Sequence, residues 1–236
     1  MKLQKPIEAI VLAGGFGTRL QKVVNLLPKP MAPVAGKPFL QYILDDLINQ
    51  EIEHVILAVG YLKETIIDHF GYHYHNLKIT YSAEDDPLGT GGAIMQASKY
   101  ANQEVIYVIN GDTYFDVDLE AIFNLHIHHK ALLTVALKKM EKFDRYGTVE
   151  IDHNHKIIAF NEKKYVGEGL INGGIYCLDK KIFSQNLPDK FSFETEILEK
   201  EFIKGNVYGK VFDGYFIDIG IPEDYAKAQD DFKQWQ

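Results

Sequence analysis

The residues best suited to chemistry come early, in Leu12-Ala13-Gly14-Gly15-Phe16-Gly17-Thr18-Arg19-Leu20. Glycines in such a loop let backbone N–H groups approach an anion without interference from a Cβ, and Arg19 adds a fixed positive charge. Two familiar phosphate loops do not match. The P-loop needs a lysine after its last glycine, and here Thr18-Arg19 follows Gly17. The dinucleotide fingerprint needs a third glycine where Leu20 stands. For the glycines alone, a plain Gly-rich turn is the lesser alternative.

A second cation stands ten residues on, in Pro28-Lys29-Pro30-Met31-Ala32-Pro33. The prolines hold φ and bias their predecessors toward extended backbone, which lowers the entropy lost when Lys29 is positioned. Arg19 and Lys29 together would serve a polyphosphate on the glycine loop; a solvated loop lysine is the plainer alternative. A second glycine-rich turn, Glu84-Asp85-Asp86-Pro87-Leu88-Gly89-Thr90-Gly91-Gly92, precedes an expected helix for which Thr90 is a plausible N-cap. Its backbone could lie against the face and edge of a base. Val105-Ile106-Tyr107-Val108-Ile109-Asn110 then runs into Gly111-Asp112. An aspartate at the carboxyl end of a parallel strand sits where open α/β sheets bind ligands and is a natural Mg²⁺ ligand, or else a turn residue.

These groups need a scaffold, and the apolar pattern predicts one. Strands are expected over 7–13, 54–59, 77–82 and 104–110, alternating with helices over 39–50, 62–70 and 92–101. After Asp112 a helix over 119–129 leads to strands over 132–138, 147–151, 156–161 and 170–178, a helix over 193–202, β structure over 207–219 and a last helix from Pro222. The expected fold is α/β: a Rossmann-like, mainly parallel but mixed sheet flanked by helices, with a small β-rich flank. One domain accommodates 236 residues.

Composition removes other classes. With 46% hydrophobic and 25% charged residues the chain is neither disordered nor fibrous. A net charge of −8 disfavours nucleic acid and anionic membrane as partners. The lone Cys177 cannot form an internal disulfide, which fits a reducing, cytoplasmic setting. The first apolar run is short and interrupted by Glu8, so it reads as a buried strand rather than a signal peptide, and nothing approaches the roughly 18 apolar residues of a membrane span. Nine histidines, including His126, His128 and His129, form no H-E-x-x-H pattern and suggest no transition-metal site.

Taken in order, G-G-x-G-T-R-L, P-K-P-M, P-L-G-T-G-G and G-D resemble the sugar-1-phosphate nucleotidyltransferases. The likeness continues through Glu162-Lys163, Asn172-Gly173-Gly174 and Ile217-Asp218-Ile219-Gly220-Ile221-Pro222, covering residues 7–226. Phe143-Asp144-Arg145-Tyr146-Gly147-Thr148-Val149 and Gly169 to Tyr176 look most like those of the D-glycero-α-D-manno-heptose 1-phosphate guanylyltransferases within that family. The resemblance implies a nucleotidyltransferase (GT-A-like) domain, its nucleotide-binding part near 1–115 and its sugar-phosphate-binding part near 116–236. It implies small-molecule substrates, GTP and a sugar 1-phosphate, with Mg²⁺ as cofactor, and leaves homo-oligomerisation open. The short C-terminus carries no hexapeptide-repeat extension, so no second acyltransferase activity is expected.

Carried over position by position, Arg19, Lys29, Asp112 and Asp218 are the catalytic set, with Asp112 and Asp218 holding the metal. Leu12, Ala13, Gly14, Gly15, Gly17, Thr18, Glu84, Pro87, Gly89 and Thr90 would bind the nucleotide. Lys163 would clamp the sugar phosphate, Glu162 and Asn172 would bond sugar hydroxyls, and Gly147 and Gly173 would give the sugar close backbone access. Glu84 could accept from guanine N1–H and its 2-amino group, which favours guanine over thymine or uracil. Mannose 1-phosphate guanylyl transfer and hexose 1-phosphate thymidylyl or uridylyl transfer stay open beside it. A non-catalytic sugar-nucleotide sensor would be expected to lose one of the charged residues. A glycosyltransferase would use an Asp-x-Asp pair such as Asp116-Val117-Asp118.

Overall fold

The computed structural model describes residues 4–15, 24 and 27–235. The chain opens on β1 (Glu8–Leu12), then passes a 3-10 turn at Lys29–Met31 and a minimal hairpin, β2 (Pro33–Val34) and β3 (Lys37–Pro38). There follow α1 (Phe39–Asn49), β4 (His54–Val59), α2 (Lys63–Phe70), β5 (His73–Tyr74), β6 (Leu77–Ala83), α3 (Gly89–Ser98), β7 (Val105–Asn110) and β8 (Thr113–Phe115). The second half contains α4 (Leu119–His129), β9 (Leu133–Phe143), β10 (Thr148–Ile151), β11 (Ile157–Asn161), β12 (Val166–Asp179), α5 (Glu199–Lys204), β13 (Val207–Phe212), β14 (Phe216–Asp218) and α6 (Pro222–Lys233).

Strands β6, β4, β1 and β7 pair in that order, all parallel. Their apolar runs are continuous because helices cover both faces. Ala9, Val11, Val55 and Leu57 face α1, α2, α4 and α6, whereas Ile10, Ile56 and Ala58 face α3 and the segment around Phe191 and Phe193. The chain builds outward from β1 through β4 to β6, then crosses back to lay β7 on the other side of β1. The connections leaving β1 and β7 therefore part in opposite directions and open a crevice at their carboxyl ends.

Beyond β7 the sheet turns antiparallel. β12 pairs with β7 through its last residues and with β10 through Leu170 and Ile171, while β9 runs along most of its length. The register with β9 breaks between Asn172 and Tyr176, where Gly174 has a φ of +75° and Asn172 Oδ1 accepts from its N–H. A Cβ on Gly174 would lie 2.7 Å from the Asn110 side chain, so the left-handed glycine lets β12 close against the end of β7.

The mainly parallel, mixed sheet agrees with the pattern-based expectation, and most elements lie within a few residues of it. Three details differ. α3 starts at Gly89 rather than Gly92, and its first turn has no side-chain cap. The Thr90 hydroxyl instead donates to Glu194 Oε2 and accepts from the Phe193 N–H, a tertiary contact replacing the expected local one. The helix expected over 193–202 begins as a π-turn at Glu194–Leu198 before α5. The β stretch expected over 207–219 divides, because β13 joins β9 while β14 leaves to pair with β8. Among the described residues no helix is long and apolar enough to cross a membrane.

Candidate active site

Three distant segments meet at the carboxyl ends of β1 and β7. Asp112 follows Gly111, whose N–H donates to Leu12 O at 2.9 Å. A Cβ on Gly111 would stand 2.4 Å from that carbonyl, so only glycine allows the two strand ends to close. Asp218 arrives through β14, where it pairs with Thr113, and the next residue, Ile219, donates its N–H to Asp112 O. Lys29 comes from the proline-rich 3-10 turn, with Pro30 and Met31 buried beneath it.

Lys29 Nζ lies 2.6 Å from Asp112 Oδ2 and 3.5 Å from Asp218 Oδ1. The Gly220 N–H also donates to Asp218 Oδ1 at 2.7 Å. Burial and the neighbouring charge of Asp112 nevertheless hold the Asp218 carboxyl above its ordinary range, against the pull of Lys29. Two carboxylates that repel one another and share an ammonium form a hard-oxygen seat for a cation, the donor chemistry a divalent ion such as Mg²⁺ prefers. Among the described residues no cluster of three or more His, Cys, Asp or Glu is placed to cage a metal.

A crevice of about 680 Å³ extends from this seat. Lys29 and Asp112 line it with Leu12, Gly14, Gly15, Glu84, Pro87, Gly89 and Thr90, all expected from the sequence. A Cβ on Gly14 would lie 3.0 Å from Glu84 Oε1 and 3.1 Å from the Gly60 nitrogen, so the glycine admits the loop between these groups. Glu84 Oε2 accepts the Leu88 N–H, and burial raises its carboxyl above the usual range. Ala13 does not line the crevice; it is buried behind it, with its N–H on Ala58 O. Gly17, Thr18 and Arg19 lie outside the described residues.

The second glycine turn divides between the crevice, lined by Glu84, Asp85, Pro87, Gly89 and Thr90, and close packing at Gly91 and Gly92. Cβ atoms on Gly91 and Gly92 would stand 2.2 Å from the Phe191 ring and 2.3 Å from Asp189 O. The turn that was expected to lie against a base thus seats residues 189–193, and Gly89 and Thr90 alone of its Gly-Thr-Gly-Gly run line the crevice. Tyr61, Lys63, Asn110 and Glu194 are further lining residues that the sequence reading did not select. Gly60, directly after the apolar run of β4, was an available signal for the first two, and the strand-end position was one for Asn110. Glu194 had none, since it is delivered by the fold of the 189–194 segment.

The expected sugar-side residues do not line the crevice. They gather on the β-rich flank, where Thr148 pairs with both Asn161 and Ile171, so the antiparallel register sets Gly147 beside Glu162 and Asn172. Asn172 Nδ2 donates to the Tyr176 hydroxyl. Glu162 and Lys163 are exposed in the connection to β12. A Cβ on Gly147 would stand 2.5 Å from Asn161 O and one on Gly173 2.4 Å from the Phe115 ring, so close packing by itself demands glycine at both. Asp118 caps α4 by accepting the Ala121 N–H, which commits half of the Asp-x-Asp pair to a structural role. His126 is buried against Thr134, and burial lowers its pKa to about 4.

The chain belongs to the nucleotidyl transferase family, whose model matches residues 8–234. It is 53% identical over 230 residues to the D-glycero-alpha-D-manno-heptose 1-phosphate guanylyltransferase of Aneurinibacillus thermoaerophilus, covering 97% of this chain and 100% of that protein. The Campylobacter jejuni enzyme of the same name is 48% identical, over 93% of this chain and 97% of its own. Among solved structures, HddC from Yersinia pseudotuberculosis, complexed with GMP-PN, aligns with a TM-score of 0.86 at 40% identity, covering 96% of this chain and 99% of that one.

Proposed function

We propose that this enzyme transfers GMP from GTP to D-glycero-α-D-manno-heptose 1-phosphate, giving GDP-heptose and pyrophosphate. The observation that carries the reading is the 53% identity to a guanylyltransferase of that name along its entire length. The crevice supplies the physical support. The attacking phosphate is already largely a dianion near neutral pH, because the second pKa of a phosphate monoester is about 6. No general base is then required. What remains is to bring two polyanions together in line and to stabilise charge on the leaving pyrophosphate.

Lys29 meets that need at the junction of crevice and flank, 2.6 Å from Asp112. Asp112 and Asp218 are the residues that would hold Mg²⁺, which when bound supplies electrostatic stabilisation of the phosphates. Gly14 and Gly15 offer close backbone approach to the triphosphate, and Arg19 adds a second cation from the same loop. Glu84 is the acceptor for guanine N1–H and the 2-amino group. On the flank, Lys163 clamps the sugar phosphate while Glu162, Asn172 and the backbone at Gly147 and Gly173 receive the heptose. Both substrates are soluble metabolites, and a cytoplasmic setting suits them.

Incubation with GTP, Mg²⁺ and the heptose 1-phosphate should release pyrophosphate in proportion to GDP-heptose. Release with UTP or dTTP but not GTP would refute the guanine assignment, and release only with mannose 1-phosphate would refute the heptose one.

A further inference from the structure

Lysine outnumbers arginine 23 to 2 in this chain, and the two arginines are Arg19 and Arg145. Arg145 lies in the connection between β9 and β10, two residues before Gly147. Its Nη2 donates to Asp224 Oδ2 at 2.5 Å, and its guanidinium carbon stands 5.5 Å from the centre of the Tyr146 ring. Asp224 belongs to the first turn of α6, directly after the loop in which Ile219 and Gly220 bind Asp112 and Asp218. One guanidinium therefore joins the sugar-side turn to the loop that presents the cation seat. Its charge also acts on Tyr146 and Asp218.

Every other ion pair among the described residues uses lysine or histidine, so a bare charge does not require arginine at this position. A guanidinium adds a planar fork of five N–H donors matched to phosphate oxygens. Asp224 engages one nitrogen, while the side chain keeps 40% of its surface open. Lys29 is already committed to the two aspartates. Lys163 is exposed on another connection. Arg145 is a flank cation held in place by Asp224 before any substrate arrives, and holding it reduces the side-chain entropy lost on binding.

We propose that Arg145 is a phosphate-binding residue for the acceptor: anchored on Asp224, it directs its remaining N–H donors to the monophosphate of the sugar beside Asp218. This rests on the guanylyltransferase reading above. The test is steady-state kinetics of Arg145→Gln, Arg145→Lys and Asp224→Asn with GTP and heptose 1-phosphate. Arg145→Gln should raise the KM for the sugar phosphate at least tenfold and leave that for GTP within twofold. Arg145→Lys should lose less, and Asp224→Asn, which loosens the guanidinium without removing it, should lose least. Inorganic phosphate should weaken as a competitor of the sugar phosphate in the same order.

A sugar-phosphate KM within twofold of wild type in folded Arg145→Gln overturns the proposal. So does an equal rise in both KM values, which loss of loop geometry alone would produce. If Arg145→Gln does not fold, Arg145→Lys and Asp224→Asn carry the same comparison. Wild-type turnover with GTP and a different sugar 1-phosphate overturns the heptose assignment but not the role of the arginine, which is then tested with that sugar. Absence of turnover with every nucleotide and sugar phosphate overturns both.

Discussion

The two ends of the central strand β1 place carboxylates in opposite circumstances. At the amino end Glu8 is 3% exposed, shares a 2.8 Å hydrogen bond with His54 Nδ1, and accepts the backbone N–H groups of Asn102 and Gln103 and the Asn102 amide. Burial alone would raise its pKa, but these bonds outweigh burial and hold it below the ordinary range. At the carboxyl end Asp218, partly open to solvent, has Lys29 and one backbone N–H, and burial with Asp112 keeps it above its ordinary range. The first carboxylate is saturated with donors and stabilises the fold. The second has fewer donors than burial and its acidic neighbour demand, which is the arrangement expected of the proposed metal ligand.

The contrast can be broken most sharply at Asp112. Asp112→Asn should lower turnover by about 10³-fold or more, the scale for removing a preorganised electrostatic group, while the melting temperature stays level or rises as repulsion with Asp218 is relieved. Pyrophosphate release and a thermal melt on one sample decide it. A large loss of stability would show that the pair supports the fold after all.

Glu8→Ala should do the reverse. It leaves buried donors unpaired and should cost about 3 kcal/mol of stability, with kcat of the folded enzyme unchanged. Because the folded pKa of Glu8 is depressed, its contribution is full above the unfolded carboxylate value and is lost as pH falls through the folded one. Urea titrations of wild type and variant should therefore converge in acid, and a gap independent of pH would contradict the assignment.

Lys29→Met sharpens the comparison from the cation side. The ammonium sits between the two aspartates, so its removal should tighten Mn²⁺ binding in the absence of nucleotide by about tenfold, the equivalent of about 1.4 kcal/mol, while turnover falls. A Mn²⁺ titration followed by electron paramagnetic resonance reads this directly. Weaker binding would mean that Lys29 organises the seat rather than competing for it.

The smallest effect is expected at Asp46 on α1, whose pKa is pushed up to about 6 by burial, against the Gln50 hydrogen bond and with a contribution from Asp116. A raised carboxylate makes stability fall as pH rises between the unfolded value, near 3.8, and about 6. Asp46→Asn should consequently stabilise the protein at pH 7 by about 1 kcal/mol and make little difference at pH 4, as melting curves at the two pH values would show. Equal gains at both would rule out ionisation as the cause.

Much of the site was legible because its parts are local. The glycines after β1, Lys29 between prolines and Asp112 after an apolar run are each marked by near neighbours in sequence. The cap expected at Thr90 misled for the same reason: its neighbours suggested a local bond, while the Phe193 N–H and the Glu194 carboxylate that engage its hydroxyl lie far along the chain. The pairing of Arg145 with Asp224 carried no signal, because the two stand 79 residues apart and meet only when α6 packs beside the β9–β10 connection.

The sequence by itself determined where strands and helices alternate and which glycine-rich turns follow the strand ends, since side-chain periodicity and backbone restriction act over a few residues. Tertiary structure alone decided that Lys29 meets Asp112 and Asp218, 83 and 189 residues away along the chain. Strand order and the β8–β14 pairing create that meeting, and long-range pairing of this kind leaves no trace in local sequence.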